Sequence, residues 1–294
     1  MNASNTSKHT WNGSKAGSDG IRGARLRLST SARGHLTLLA SCLLALCATA
    51  PASGQPAPRE SVKNIVLVHG AWADGSSWSG VIQRLQKAGY FVTAVQIPNN
   101  SLDEDVTRVR GVLSEQKGPT IVVGHSFGGA IITQLGNDAP NAVALVYISA
   151  FGPDKGETMK ALVSGTPQPA GAAAIRPNKL GLLFLDREGF LKYFAPDVER
   201  TQARVLDAAQ QAIAASEFLS EQPFGEPAWK SLPSWFLVST EDQMVPPAAQ
   251  QAMAKRMGAT ISTVKGSHCS FIAHADVVAN LIMKVAESSR ITTN

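Results

Sequence analysis

The sequence predicts an α/β fold in which helices flank a mostly parallel sheet of about six strands. From residue 61 to residue 290, short apolar runs bounded by turn residues alternate with segments of helical periodicity. The alternation breaks once, at about residues 151–233, where a loop rich in Pro, Gly and Ala precedes helical stretches such as Val198–Ser220. We interpret this interruption as a helical cap inserted into the α/β domain.

Six runs rich in β-branched and apolar residues are the predicted strands. In chain order they are Asn64–Val68, Phe91–Gln96, Thr120–Gly124, Ala142–Ile148, Ser234–Ser239 and Thr260–Val264. Between the first two runs, Val81 and Leu85 lie on one face of a predicted helix that Gly89 ends. Ser101 and Glu104 have the spacing of a capping box at the start of the next helix. Two later helices are predicted over Pro246–Met257 and Ala275–Glu287.

The net charge of the chain is concentrated at its N-terminal end. The 294 residues include 27 Lys and Arg against 22 Asp and Glu, a formal charge of +5. Residues 1–55 contain six basic residues and one acidic residue, so the rest of the chain carries 21 of each sign. A balanced domain has no basic stripe for a phosphate backbone, and we therefore expect no nucleic-acid partner.

Residues 1–54 have the features of an export signal with a long polar N-terminal extension. The apolar run Leu36–Ala50 has about 15 residues, fewer than the ~20 that a membrane-spanning helix requires. Small residues offer cleavage sites near residues 50–55, and residues 55–60 are the predicted linker. We expect a periplasmic or secreted protein with no stable membrane insertion after cleavage. An uncleaved anchor and a lipidated Cys42 are the alternatives.

The strongest functional motif is the segment Gly124–Gly128, which joins a predicted strand to a predicted helix and contains Ser126. Such a turn lifts its serine out of the sheet, and the glycines allow the tight backbone that this requires. The start of the following helix then points toward the reacting oxygen. Ser126 is therefore the candidate nucleophile; the alternative is a glycine-rich packing turn whose serine has no catalytic role.

A serine hydroxyl needs a base that accepts its proton. We interpret His69 and His125, which lie in turns at the ends of predicted strands, as structural residues. His268 lies in a loop directly after the last predicted strand, whereas His274 lies at the entrance of the last helix. We assign His268 as the general base and interpret His274 as a capping or surface residue.

The base in turn needs a carboxylate that holds its tautomer and stabilises the imidazolium. Asp242 follows the strand Ser234–Ser239, which gives the chain order serine, aspartate, histidine. We assign Asp242 to this role. Glu241 is the rival, interpreted as a solvent-facing residue, and Asp154 is a weaker rival, interpreted as a turn residue.

The turn His69–Trp72 follows the first predicted strand and is the candidate oxyanion site. We expect the backbone N–H groups of Ala71 and Phe127 to converge on the developing oxyanion, where the loss of one donor costs on the order of 3 kcal/mol. Trp72 is the candidate substrate-binding side chain. A simple His-Gly turn without a catalytic role is the alternative.

Over roughly Ser61–Ser288 these motifs resemble the α/β-hydrolase superfamily. The segments Asn64–Trp72, Gly124–Gly129 and Ser267-His268 are similar to the branch that contains plant methylesterases, pyrethroid-hydrolysing esterases and hydroxynitrile lyases. The resemblance implies the α/β-hydrolase fold and no cofactor. It implies a triad and two oxyanion donors at Ser126, Asp242, His268, Ala71 and Phe127. Because the two leading antiparallel strands of larger members are missing, we expect six strands.

We expect a serine hydrolase that cleaves small-molecule carboxylic esters through an acyl-enzyme on Ser126. The alternatives are a cofactor-free carbon–carbon lyase on the same scaffold and a non-catalytic binding protein. In the related lyases, threonine replaces the glycine of the His-Gly turn and lysine follows the catalytic histidine, whereas this chain has Gly70 and Cys269. We expect no metal, because no His, Cys and carboxylate cluster has ligand spacing. The sequence carries no signal for the oligomeric state.

Overall fold

The computed structural model describes residues 59–60, 62–164, 168–289 and 291–292. The predicted export signal and the linker as far as residue 58 lie outside the described residues, so export stays a prediction. Within the described ranges, no helix is long and apolar enough to cross a membrane.

Six strands form a sheet in which every neighbouring pair is parallel, which confirms the predicted α/β architecture. Over the described residues the strands are β1 (Arg59–Glu60), β2 (Asn64–Val68), β3 (Phe91–Val95), β4 (Thr120–His125), β5 (Ala142–Ile148), β6 (Ile175–Pro177), β7 (Leu182–Leu185), β8 (Ile213–Ala214), β9 (Ser234–Ser239), β10 (Thr260–Val264) and β11 (Ile291–Thr292). The order in the main sheet is β10-β9-β5-β4-β2-β3.

Helices flank this sheet, and several of them pack against each other. The α-helices of the described chain are α1 (Ser79–Lys87), α2 (Leu102–Ser114), α3 (Phe127–Thr133), α4 (Met159–Val163), α5 (Arg187–Gly189), α6 (Arg200–Ala209), α7 (Ala215–Phe218), α8 (Pro247–Arg256), α9 (Ser270–Ala273) and α10 (Ala275–Ser288). Helix α1 packs against α10, and α2 packs against α3. At the start of α2, the Ser101 hydroxyl accepts a hydrogen bond from the Glu104 N–H, as its capping role predicts.

The parallel register brings four turns to one edge of the sheet. Val68 at the end of β2 pairs with Gly124 near the end of β4, and Val264 at the end of β10 pairs with Ser239 at the end of β9. Strand β5 lies between β4 and β9 and runs parallel to both. The segments that follow these strands therefore meet at the carboxyl edge, where sheets of this kind bind ligands.

The segment inserted between β5 and β9 is not purely helical, which corrects the expected composition of the cap. It contains α4 to α7 and also an antiparallel sheet of β6, β7 and β8. The stretch expected to be helical over Val198–Ser220 is divided into α6, β8 and α7. Helix α6 ends at Gln210, whose backbone turns to φ −54°, ψ 130° and whose side chain accepts from the Leu185 N–H and donates to the Leu185 carbonyl at 2.9 and 3.1 Å.

A second difference concerns the ends of the domain. Strand β1 pairs antiparallel with β11. The predicted linker at residues 55–60 therefore ends in a strand, and the ordered pairing extends past the expected limit at residue 290. Two-residue strands carry too weak a period-2 pattern for the sequence to reveal them.

Candidate active site

Ser126 lies on a tight turn between β4 and α3, in the backbone conformation φ 54°, ψ −122°. A positive φ is strained for a residue with a side chain and persists only where the surroundings fix it. A Cβ atom on Gly124 would lie 2.6 Å from the Gly128 carbonyl oxygen, and one on Gly128 would lie 2.6 Å from the His69 carbonyl oxygen. The two glycines are therefore needed because the turn is packed against its own helix and against the neighbouring strand end.

The three predicted triad residues form one chain of hydrogen bonds. The Ser126 hydroxyl oxygen lies 2.8 Å from His268 Nε2, and His268 Nδ1 lies 2.8 Å from Asp242 Oδ2. All three residues are buried. With a proton on Nδ1, the neutral imidazole donates to Asp242 and presents Nε2 as the acceptor for the serine proton. This is the geometry that a nucleophile, its base and an orienting carboxylate require.

Asp242 accepts four hydrogen bonds. Its Oδ1 accepts from the backbone N–H groups of Met244 and Val245 at 2.7 and 2.9 Å. Its Oδ2 accepts from Gln250 Nε2 at 2.8 Å, in addition to His268. Gln250 lies on α8, is fully buried, and was missed by the sequence analysis, because a glutamine near a helix start has no distinguishing spacing.

His125 holds the backbone of the candidate base. Its Nε2–H donates to the His268 carbonyl at 2.9 Å, and the two rings lie 4.7 Å apart. Burial, the neighbouring His268 and, more weakly, His69 lower the pKa of His125 well below its usual value, against the opposing effect of this hydrogen bond. His125 is therefore a neutral hydrogen-bond donor. The sequence analysis interpreted it as structural, and its partner is the His268 carbonyl.

The candidate oxyanion turn lies against the nucleophile. A Cβ atom on Gly70 would lie 2.8 Å from the Ser126 Cβ and 3.0 Å from the Phe127 nitrogen. Phe127 is the first residue of α3, whose initial N–H groups have no intrahelical acceptor. No described residue accepts a hydrogen bond from the N–H of Ala71 or Phe127. Phe127 therefore follows Ser126 with an N–H that has no described acceptor, and the turn that carries Ala71 packs against the same serine through Gly70.

Trp72 joins this turn to the inserted segment. Its φ of 61° is another positive value at a residue with a bulky side chain. Its backbone N–H donates to the Gln211 carbonyl at 3.0 Å, and its Nε1–H donates to the Leu183 carbonyl at 3.1 Å. Trp72 also lines the cavity described below. The residue predicted from the sequence to contact the substrate is thus anchored to the cap once through its backbone and once through its side chain.

The rival residues lie elsewhere. The half-exposed Glu241 side chain pairs with Lys265 at 3.7 Å, and Asp154 pairs with Lys230 at 3.1 Å. His274 is partly exposed at the start of α10, with its Nε2 3.6 Å from a carboxylate oxygen of Asp197. None of the three touches Ser126 or Asp242 through a hydrogen bond in the described part of the chain.

A cavity of about 380 Å³ opens onto Ser126 and His268. Every other described residue that lines it has an apolar or aromatic side chain, and the lining comes from both α8 and the inserted segment. The apolar lining includes Trp72, Phe151, Leu162, Phe218, Met244 and Met253. Over the residues that the structure describes, no cluster of three or more His, Cys, Asp or Glu side chains has the geometry of a metal site.

Comparison with known proteins identifies relatives of this chain. The family model described as the alpha/beta hydrolase family matches residues 65–281. An alpha/beta hydrolase of Aspergillus novofumigatus is 26% identical over 76% of this chain and 96% of its own length. A pyrethroid hydrolase of Sphingobium wenxiniae is 26% identical over 78% of this chain and 89% of its own length.

A solved structure shares the fold. The crystal structure of a pyrethroid hydrolase from Sphingobium faniae superposes with a TM-score of 0.67 and 23% identity, covering 77% of this chain and 98% of that one. Plant methylesterases and a plant alpha-hydroxynitrile lyase are also similar to this chain. The resemblance drawn from the sequence motifs is therefore confirmed.

Proposed function

Because this chain belongs to the alpha/beta hydrolase family, we propose that it is a serine esterase that cleaves uncharged, hydrophobic carboxylic esters through an acyl-enzyme on Ser126. One observation carries the proposal. A chain of hydrogen bonds runs from Asp242 through His268 to the Ser126 hydroxyl, and an apolar cavity opens onto that hydroxyl. The esterases among the similar proteins support the same reaction class.

In the proposed reaction, Ser126 Oγ attacks the ester carbonyl carbon while His268 Nε2 accepts the hydroxyl proton. Asp242 stabilises the imidazolium, and the N–H groups of Ala71 and Phe127 stabilise the tetrahedral oxyanion, each on the order of 3 kcal/mol. The imidazolium then gives its proton to the departing alcohol. A water molecule, activated by His268, releases the acid and restores the serine.

The lining of the cavity supports a neutral substrate. Apart from His268, no described lining residue carries an ionisable side chain. A carboxylate or ammonium group on the substrate would lose its hydration there without gaining a partner, which costs several kcal/mol. Aromatic rings and branched alkyl groups instead bury apolar surface against Trp72, Phe151 and the two methionines, Met244 and Met253.

The lyase alternative is not favoured at the two positions that distinguish it. Any side chain on Gly70 would come within 2.8 Å of the Ser126 Cβ and the His125 carbonyl oxygen, so a threonine there requires a rearranged turn. Cys269 is fully buried, and burial raises the pKa of its thiol well above the usual value. This neutral thiol cannot replace the cation that a departing cyanide needs.

The experiment that tests the proposal combines Ser126→Ala with a panel of p-nitrophenyl and methyl esters. We expect kcat/KM to fall at least about a thousandfold while the melting temperature changes little, because only the nucleophilic oxygen is removed. An organophosphonate should label the wild-type protein once, at Ser126. A loss smaller than about a hundredfold, or labelling at another residue, would contradict the assignment.

A further inference from the structure

The inserted segment reaches the residue before the candidate base through one carboxylate. Asp197 lies between Phe194 and α6, and its Oδ2 accepts from the Ser267 N–H at 2.7 Å. The Ser267 hydroxyl donates to Asp197 Oδ1. Ser267 is buried, and the bond from its backbone N–H fixes the main chain directly next to His268.

The backbone around His268 is held from two sides, by the sheet and by the cap, and this contact is the one from the cap. On the sheet side, His125 donates to the His268 carbonyl at 2.9 Å. On the cap side, Asp197 holds Ser267, and the Phe194 ring lies 5.2 Å from the His268 ring. The Ser267 hydroxyl oxygen also accepts from the Cys269 N–H at 3.2 Å, so it bridges the two residues that flank His268.

We propose that Asp197 is a positioning residue for the serine esterase proposed above. Seated on the sheet, the cap places its Asp197 carboxylate against Ser267 and thereby sets the backbone of His268. The reach of His268 Nε2 to the Ser126 hydroxyl then depends on the inserted segment as well as on Asp242.

The chemistry of the contact explains why a carboxylate is used. Two parallel acceptor oxygens match the N–H and O–H of a single serine, and a hydrogen bond to a charged acceptor is roughly twice as strong as one between neutral groups. Because a displacement of about 1 Å at a reacting group can cost about a hundredfold in rate, a loosened Ser267 should lower the rate of proton transfer. Asp197 lines none of the described wall of the substrate cavity, so substrate binding should change little.

Three substitutions separate the parts of this contact. Asp197→Ala removes both acceptors, and we expect kcat to fall about 30- to 100-fold with KM within about threefold. Ser267→Ala removes the hydroxyl bonds to Asp197 and to the Cys269 N–H and keeps the backbone bond, so we expect a loss of about 3- to 10-fold in kcat. Asp197→Asn keeps one acceptor for the N–H and offers its amide to the serine oxygen, and should restore kcat to within about fivefold of wild type.

The matched control is Glu199→Gln, which removes a negative charge two residues away. Glu199 accepts from the N–H groups of Thr201 and Gln202 at the start of α6 and does not touch Ser267. We expect its kcat to equal that of the wild type. The rate at which an organophosphonate labels Ser126 should fall in Asp197→Ala by the same factor as kcat, since both reactions need the base.

The outcomes distinguish this inference from the proposed function. Should Asp197→Ala unfold, Ser267→Ala still tests the hydroxyl bond, and Asp197→Asn tests whether the negative charge of the acceptor is needed. If the wild-type protein is labelled at Ser126 and the Asp197 and Ser267 variants keep kcat within twofold, the proposed function stands and the positioning role is overturned. A rise in KM with unchanged kcat also overturns it, because the residue would then act through the cavity. If the wild-type protein is not labelled at Ser126, both the proposed function and the positioning role are overturned.

Discussion

Two buried acidic sites in this protein differ in the number of hydrogen-bond donors around them. Asp242 accepts four hydrogen bonds from Met244, Val245, Gln250 and His268. Asp105 on α2 and Glu217 on α7 are also buried, and their carboxyl groups lie close enough to influence each other. Within the described chain, this second pair receives one hydrogen bond, from the Asn99 N–H to Asp105 Oδ1 at 3.0 Å.

The number of hydrogen-bond donors determines how well each site accommodates a negative charge. Four donors surround the Asp242 side chain in place of water, and an imidazolium partner needs an acceptor held in this way. At the second site, burial raises the pKa of Asp105 to about 7, with a smaller contribution from Glu104. Burial and then the Asp105 charge raise the pKa of Glu217 to about 9. That pair therefore keeps its protons to a higher pH than ordinary carboxyl groups do.

The strongest test of the donor-rich site is Asp242→Asn. The amide would present an N–H to His268 and to Gln250, which are both donors, so His268 would adopt the wrong tautomer. We expect kcat to fall about 10⁴-fold, as in serine enzymes whose triad aspartate is replaced by asparagine. Steady-state kinetics with a p-nitrophenyl ester measure the effect.

The control for that change is Glu241→Gln, which neutralises the adjacent acid in its half-exposed pair with Lys265. We expect less than a twofold change, because exposed ion pairs contribute little. Equal losses in the two variants would show that this turn needs negative charge in general and would remove Asp242 from its specific role.

A smaller effect should follow when one of the four donors is removed. Gln250→Leu deletes the bond to Asp242 Oδ2, the bond to the Val245 carbonyl and the acceptor for the Ser239 N–H. We expect kcat to fall about tenfold to a hundredfold, since a buried charge loses a partner at about 1–3 kcal/mol. Gln251→Leu, at the exposed neighbouring position, is the matched control and should leave kcat unchanged. Equal kcat values for the two variants would mean that three donors suffice.

The sequence predicted the donor-rich site far better than the donor-poor one. The positions of Ser126, Asp242 and His268 follow from where strands end, and the ends of parallel strands must meet at one edge. Gln250 and Asp197 act through contacts between segments far apart in the chain, which leave no local pattern. Asp105 has the sequence of an ordinary acidic first turn of a helix, and its burial becomes visible only when α7 lies against it.

The same reasoning explains the errors in the inserted segment. The strands β6 to β8 are two to four residues long, and Gln210 at the end of α6 bonds to Leu185, which is distant in sequence. Periodicity is a property of a continuous run and does not reveal such a contact. The central sheet, whose strands are longer and mostly buried, was predicted to within one residue at each end.

The smallest effect that we predict concerns stability and pH at the donor-poor site. In the unfolded chain Asp105 and Glu217 lose their protons near the ordinary values of 3.8 and 4.5, whereas the folded protein retains them up to about pH 7 and 9. Between these limits the folded state binds more protons, so the stability gained from them is fully present below about pH 4. It is lost as the pH rises through 7 and 9. We expect the free energy of unfolding, measured by urea unfolding, to fall between pH 6 and pH 9 by about 1.4 kcal/mol per pH unit for each of these protons that the folded state still holds.

Glu217→Gln tests this directly, because its amide donates to Asp105 at every pH and removes one of the two titrating groups. The variant should be less sensitive to pH than the wild type and more stable than it at pH 9. Glu115→Gln, at an exposed position on the C-terminal side of α2, is the matched control and should keep the wild-type slope. The prediction fails if the wild type and Glu217→Gln lose the same free energy between pH 6 and pH 9. The decline would then belong to other titrating groups. The protons on Asp105 and Glu217 would not explain it.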